Sequence, residues 1–308
     1  MNIVEKKLKV FVTGATGFVG QRLVDRLVRE GHTVVCLTRN PERAMNLLGD
    51  QVVVVGEEEY FISPGKWMYQ VDALVHLAGE PISQRWTAKT REKIIWSRVD
   101  FTEKLLRVCE TIYRGLPKVV ITASAVGYYG DRGDETLTEK SKPGEGFLAD
   151  VCHDWEWKGQ CLGIVRSVQL RLGIVLGNGG ALKKMLTPFK LGLGGRIGSG
   201  EQWMPWIHVD DVVEIIIESI QNQNIEGPVN CVSPIPITNA TFTKTLGRVL
   251  RKPTVFPVPA TLLKLLFGDM SQVLLASQKV WPSKLKSIDF DYKFPRLGSA
   301  LVSVIRES

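Results

Sequence analysis

The stretch "FVTGATGFVGQ", Phe11–Gln21, decides how the chain is read. Gly14, Gly17 and Gly20 fall at every third position. Before them, Leu8–Thr13 is a short β-branched run of the kind that makes a buried parallel strand. After them, Phe18, Leu23, Leu27 and Val28 fall near helical spacing, and Gly31 ends the run. A strand, a glycine turn and a helix leave unpaired N–H groups at the helix start, where they attract phosphate. Gly14 permits the tight turn, Gly17 a close approach of backbone to a pyrophosphate, and Gly20 close packing of helix on strand.

Further strand-like runs follow outward from this turn. "HTVVCLTRN" is the second, ended by Asn40 and Pro41; Val52–Val55 is the third. "VDALVHLAG" is the fourth, "KVVITASA" the fifth and "SVQLRLGIVLG" the sixth, with a long helical stretch from about Lys89 to Tyr113 between the fourth and fifth. Strands alternating with helix-length segments imply an α/β, Rossmann-type, doubly wound parallel sheet. Residues 1–176 are expected to form this dinucleotide-binding domain, with room for later elements to return to it. Residues 177–308, rich in glycine and proline, are expected to form a smaller C-terminal lobe over the strand ends. A distinct closing segment begins near 255.

Composition narrows the function classes. The chain has 308 residues, 44% of them hydrophobic, enough for a substantial core. The formal net charge of +7 reads as a mild basic bias spread along the chain, so nucleic acid is not an expected partner. Cys36, Cys109, Cys152, Cys161 and Cys231 contain no CxxC pair, and His is scarce. These thiols read as reduced and mostly buried, with no metal site and no disulfide framework. The N-terminal segment is too short and charged for a signal peptide, no apolar run reaches membrane-spanning length, and no membrane partner is expected. The expected location is the cytoplasm, or a plastid stroma after removal of a transit peptide.

The second strand ends in Thr38 and Arg39. An acidic residue about twenty positions past the glycines would bind an NAD ribose 2′-hydroxyl. Arg39 instead offers a bidentate grip for a 2′-phosphate, so NADP(H) is the expected cofactor.

The GxxGxxG spacing after Thr13 resembles the fingerprint of the short-chain dehydrogenase/reductase superfamily. "HLAGEP" looks like its second cofactor-facing turn, which implies that Leu77, Ala78 and Gly79 flank the adenosine side. "RVDFTEKLL" (Arg98–Leu106) and "WIHVDDVVE" (Trp206–Glu214) resemble the extended, epimerase/dehydratase-like branch. Arg98 stands where that branch has Asn, and reads either as a cation toward the cofactor or as a solvated helix residue. Asp210 or Asp211 is expected to cap the helix they open. The resemblance extends the cofactor set to Thr16, Phe18, Val19 and Val175. "SAVGYYGD", "FLADVCHDWE", "LGLGGRIGSGEQWMPWIHVDD" and the closing "ASQKVWPSKLKSIDFDYKFPRLGSAL" resemble one atypical subgroup. Its members, found in bacteria, animals and plant plastids, are labelled as homologues of a bacterial cell-division inhibitor.

That superfamily moves a proton with a Tyr and a Lys four residues later, and no tyrosine here has Lys at that offset. In "EGFLADVCHDWEWK" the two places hold Phe147 or Leu148, and Val151 or Cys152, according to register. Phe147, Val151 and Trp155 share a helical face that reads as core, and Cys152 reads as a buried thiol. The resemblance makes Ser124 the active-site serine, able to hydrogen-bond a substrate carbonyl or the nicotinamide amide. Tyr128, or else Tyr129, is the candidate proton donor; the alternative for both is aromatic packing. Arg196, Gln202, Trp203 and Trp206 suit either a small-substrate pocket or a rigid inter-lobe turn.

Two functions stay open: an NADP(H)-dependent oxidoreductase or epimerase-like enzyme acting on an unknown small molecule, or a catalytically silent NADPH-binding regulator tied to cell or plastid division. The second brings a protein partner, and either admits a homo-oligomer.

Overall fold

Seven strands pair in one parallel sheet: β1 Lys9–Thr13, β2 Thr33–Thr38, β3 Val53–Gly56, β4 Ala73–His76, β5 Val119–Ala125, β6 Arg166–Leu172 and β7 Gly227–Cys231. Their order is β7-β6-β5-β4-β1-β2-β3. The structure, a computed structural model, describes residues 7–111, 116–160, 163 and 165–307. The chain leaves β1 in one direction and returns to its other side with β4. The carboxyl ends of β1 and β4 therefore flank a topological switch point, where open α/β sheets hold ligands.

Helices cover both faces of the sheet, and further helices build the C-terminal lobe. They are α1 Phe18–Arg29, α2 Pro41–Leu48, α3 Ala88–Ile95, α4 Phe101–Thr111, α5 Phe147–Lys158, α6 Gly180–Lys190, α7 Val209–Gln221, α8 Asn239–Leu250, α9 Ala260–Phe267 and α10 Leu297–Arg306. Leu23 and Leu27 of α1 pack with Val212 and Ile216 of α7 on one face, and Leu105 of α4 joins Phe11 and Leu74 on the other. Strand residues that look both ways into packed helices are apolar, as in Val10–Val12 of β1, Ala73–Val75 of β4 and Val119–Ile121 of β5, and the buried polar residues fall toward the strands' carboxyl ends.

The long helical stretch after β4 runs unbroken through the described residues from Ala88 to Thr111 and is widened at one turn. Between α3 and α4, Trp96–Asp100 forms a π-helical turn, a widening that often marks a functional position. Tyr113, its expected end, lies outside the described residues. The sixth strand divides. Gly173 separates β6 from Ile174–Leu176, which pairs instead with Trp206–His208. The chain after 177 supplies both β7 and α7 to the sheet domain. The remainder gathers a separate core from α6, α8 and α10, including Leu186, Phe189, Phe242 and Leu301.

Neither acid of "HVDD" caps α7. The His208 ring accepts from the Asp210 N–H, while Asp210 binds Arg22 and Lys293. Asp211 accepts from the backbone N–H groups of Lys293 and Phe294 and ties the C-terminal segment to the sheet domain. Short acids cap helices by default, but here both have stronger cationic or backbone donors elsewhere. Cys36, Cys152 and Cys231 are buried free thiols; Cys161 and the side chain of Cys109 lie outside the described residues.

Candidate functional site

The glycine turn is built by contacts that only glycine allows. Gly14 has φ of 72°, and a Cβ there would lie 2.6 Å from the Leu77 carbonyl carbon. A Cβ on Gly20 would lie 2.2 Å from the Gly14 oxygen. The glycine turn therefore rests directly on the turn Leu77–Gly79 and on α1. The Leu77 N–H donates to the Thr13 carbonyl at 3.1 Å, fixing the two turns to each other. Gly17 precedes α1 with no capping side chain, and the first turn of α1 carries no acid. Its free N–H groups thus face the crevice uncompensated.

Thr16 and Val19 lie partly buried on this turn. The Phe18 ring is wedged against Gly177, Gly179 and Gly180, where a Cβ on Gly177 would come within 2.4 Å of it. That wedge holds the segment bearing Val175 beside the glycine turn.

At the tip of β2, Thr38 Oγ1 accepts from the Asn40 N–H, and Asn40 caps α2 by accepting from the Arg43 N–H. Arg39 is exposed and has no ion pair or hydrogen bond from its side chain among the described residues. The guanidinium of Arg43, in the first turn of α2, is likewise unpaired among them. The sequence reading missed Arg43; its place three residues past an Asn cap, opening a helix beside Arg39, was the available signal.

The π-helical turn presents Arg98. Its Nη1 donates to the Glu80 carbonyl at 2.9 Å, its guanidinium lies 5.0 Å from the centre of the Trp155 ring, and its Cζ would lie 3.3 Å from a Cβ on Gly79. Burial pulls its pKa below the ordinary value, against the pull of Cys152 and Glu80. Arg98 therefore lies in the crevice and not in solvent. Beneath it, His76 Nδ1 meets Thr13 Oγ1 at 2.5 Å and Nε2 meets Thr102 Oγ1 at 2.9 Å. Trp155 Nε1 donates to the same Thr102 oxygen. Burial, reinforced by Arg98, lowers the His76 pKa to about 3, so this ring is neutral.

Ser124 lies at the end of β5, only 2% exposed. Its hydroxyl donates to Glu156 Oε1 at 2.6 Å. Glu156 in turn takes two bonds from Arg171, at 2.8 and 2.7 Å. Arg171 also donates to the Tyr129 hydroxyl, which donates to Asn230 Oδ1. The serine's single proton is thus committed to an anion, and only its lone pairs are left for a ligand. The expectation that Ser124 hydrogen-bonds a substrate carbonyl does not fit this geometry; accepting from an amide N–H or a hydroxyl does. Glu156 and Arg171 were missed in sequence. A lone Arg inside the apolar strand "VQLRL" was the signal, because a buried cation demands a buried anion.

Tyr128 lies on the turn Val126–Tyr129 that follows β5, half-buried, with the Arg171 guanidinium 3.6 Å from its ring centre. Burial raises its pKa, and the Arg171 charge opposes the rise. Tyr129, fully buried, is pushed up to about 12, first by burial.

The register of α5 follows from Gly127, where a Cβ would lie 3.6 Å from Leu148 Cβ and 3.8 Å from Cys152 Sγ. Leu148 and Cys152, with Glu156 one turn on, face the turn after β5. Phe147 and Val151 face away and pack with Trp86, Ile94 and Met270. Burial pushes the Cys152 thiol up to about 12 and makes it a poor nucleophile.

The glycine-rich segment before β7 serves packing. Trp206 is 1% exposed, Trp203 Nε1 donates to Asp134 at 2.7 Å, and Gln202 Nε2 donates to the Ile197 carbonyl. Arg196 is exposed.

Comparison with known proteins agrees with this geometry. Residues 10–231 match the NAD dependent epimerase/dehydratase family, and residues 258–304 match a domain of unknown function. The chain is 37% identical to the chloroplastic epimerase family protein SDR39U1 homolog of Arabidopsis thaliana, over 98% of this chain and 88% of that one. It is 36% identical to epimerase family protein YfhF of Bacillus subtilis, over 97% and 99% of the two chains. The crystal structure of human epimerase family protein SDR39U1, isoform 2, with NADPH superimposes with a TM-score of 0.88 at 32% identity, covering 98% of this chain and all of that one.

Proposed function

Because this chain belongs to the NAD-dependent epimerase/dehydratase family, we propose that its crevice binds NADP(H) and serves an oxidoreductase or epimerase-like reaction on a small molecule. The observation that carries this reading is the pair of glycine-built turns, Gly14–Gly17 and Leu77–Gly79, opening beside an unpaired Arg39. The turns leave room where a Cβ would intrude, and the free N–H groups of α1 suit the pyrophosphate. Arg39 and Arg43 suit a 2′-phosphate. Arg98 suits the ribose and phosphate oxygens nearer the reacting end. The NADPH of the human relative supports the same choice. When bound, the cofactor supplies a hydride donor or acceptor.

The chain's own part is to hold and move a proton. Ser124 accepts from the nicotinamide amide or from a substrate hydroxyl. Tyr128, four residues past Ser124 and only half-buried, takes the role of proton donor. Arg171 beneath its ring stabilises the phenolate left behind. The buried free thiols fit a reducing compartment, cytoplasm or plastid stroma.

A second reading, a silent NADPH-bound regulator, is favoured by Leu148 and Cys152 in the places of the usual pair and by the commitment of the Ser124 proton to Glu156. The deciding experiment loads the protein with NADPH and follows nicotinamide absorbance across carbonyl compounds and nucleotide sugars. Turnover that Tyr128→Phe abolishes supports the enzyme. A bound cofactor that no substrate oxidises, in wild type and variant alike, supports the regulator.

A further inference from the structure

Residues 157–200 and 227–268 contain no Asp or Glu. Folding brings parts of these two acid-free stretches side by side. Ile197 bridges Val258, the Val258 N–H donates to the Arg196 carbonyl at 2.8 Å, and Gly192 faces Pro253. Cations of both stretches therefore gather on the C-terminal lobe. Lys190, Arg196, Arg251, Lys252 and Lys264 are exposed there and have no ion-pair partner among the described residues.

The same segments expose apolar side chains. Leu191 and Leu193 stand on one, Phe256 on the other. On α9, Leu262, Leu265 and Leu266 share a face by i, i+3 and i+4 spacing, and Leu265 is 73% exposed. Leu263, about 100° round the helix from Leu262, is buried.

We propose that this face seats the protein on an anionic membrane surface. A short helix with protruding leucines and flanking cations suits the boundary between headgroups and acyl chains, where apolar burial and charge attraction act together. Side chains this exposed protrude and do not line a groove, which disfavours a partner helix. A second copy of the same face would oppose cation to cation. Single-stranded nucleic acid would call for stacked aromatics, and the patch is chiefly aliphatic. Among the described residues no helix is long and apolar enough to cross a membrane, and attachment by this face needs none.

The test sediments the full chain with vesicles of phosphatidylcholine alone, or with about one third phosphatidylglycerol. Partitioning is expected to be roughly tenfold stronger on the anionic vesicles and to weaken as salt rises. Leu265→Glu with Leu266→Glu abolishes it, and Lys252→Glu with Lys264→Glu removes the preference for anionic lipid. Unchanged thermal midpoints for both double variants establish that they fold. Equal binding to neutral and anionic vesicles overturns the proposal, as does binding that survives the leucine changes. So does a dimer of the wild type, seen by light scattering, that the leucine changes dissociate, or an acidic protein or DNA bound at the same salt while vesicles are not. None of these readouts depends on the cofactor.

Discussion

Ser124 Oγ lies 2.6 Å from Glu156 Oε1, and the carboxylate it meets is already gripped twice by Arg171. The side chains of Arg171 and Glu156 are 3% and 9% exposed, so neither charge can fall back on water. Glu156→Ala leaves a buried guanidinium without its partner and is expected to cost about 3–5 kcal/mol. Chemical denaturation measures this. A loss below about 1 kcal/mol would mean that Arg171 finds another partner or water.

Turnover, where a substrate is found, depends on Tyr128 and much less on the Ser124 proton. Tyr128→Phe is expected to lower kcat by about 100-fold or more while leaving NADPH affinity within about twofold. Ser124→Ala, which removes an acceptor for the ligand and one donor to Glu156, is expected to raise KM more than it lowers kcat. Steady-state kinetics of both variants, beside cofactor titrations, separate the two roles. The opposite pattern would assign the acid role to Ser124.

His76 makes the fold acid-sensitive. Its folded pKa of about 3 lies below the ordinary value of 6.5. As pH falls, the unfolded chain takes up the proton first. Stability from this group is complete above about pH 6.5 and is lost progressively down to about pH 3, at no more than about 1.4 kcal/mol per pH unit. His208, lowered to about 4, adds a slope of the same sign. Asp211, raised to about 6, adds one of opposite sign between its ordinary value of 3.8 and 6. The difference between wild type and His76→Gln isolates the first contribution. Urea unfolding at several pH values between 4 and 7 should give the variant the flatter profile; equal slopes would mean that His76 keeps its ordinary pKa in the folded chain.

The glycine turn tolerates no Cβ where its two halves meet. Gly20→Ala forces a methyl to 2.2 Å from the Gly14 oxygen and is expected to cost about 1–3 kcal/mol and to weaken cofactor binding. Gly17→Ala, whose Cβ would lie 3.0 Å from the same oxygen, is expected to disturb the turn less. Thermal unfolding with and without NADPH distinguishes the two variants.

The first five strands and the glycine turn were legible because β-branched runs and glycine spacing are local signals. The break at Gly173 was not, since "LRLGIVLG" stays apolar across it and only the distant pairing with Trp206–His208 divides it. Likewise β7 reads as part of a proline-rich tail until it is seen beside β6. In the site, the place of Arg39, exposed just past the end of β2, was readable from its distance past the glycines. The Ser124–Glu156–Arg171 chain was not, because it joins three elements 15 to 32 residues apart through side-chain geometry alone. The acids of "HVDD" were misassigned for the same reason: their partners Arg22, Lys293 and Phe294 come from the far ends of the chain.

Isothermal titration of the wild type and Arg39→Ala with NADPH and NADH tests the central claim most directly. The wild type is expected to bind NADPH at one site and to favour it over NADH by about tenfold or more, as a charge-assisted grip on one phosphate implies. Arg39→Ala should lose most of that preference and bind NADH as the wild type does. Absence of heat with either nucleotide, or equal affinities that Arg39→Ala leaves unchanged, would contradict it.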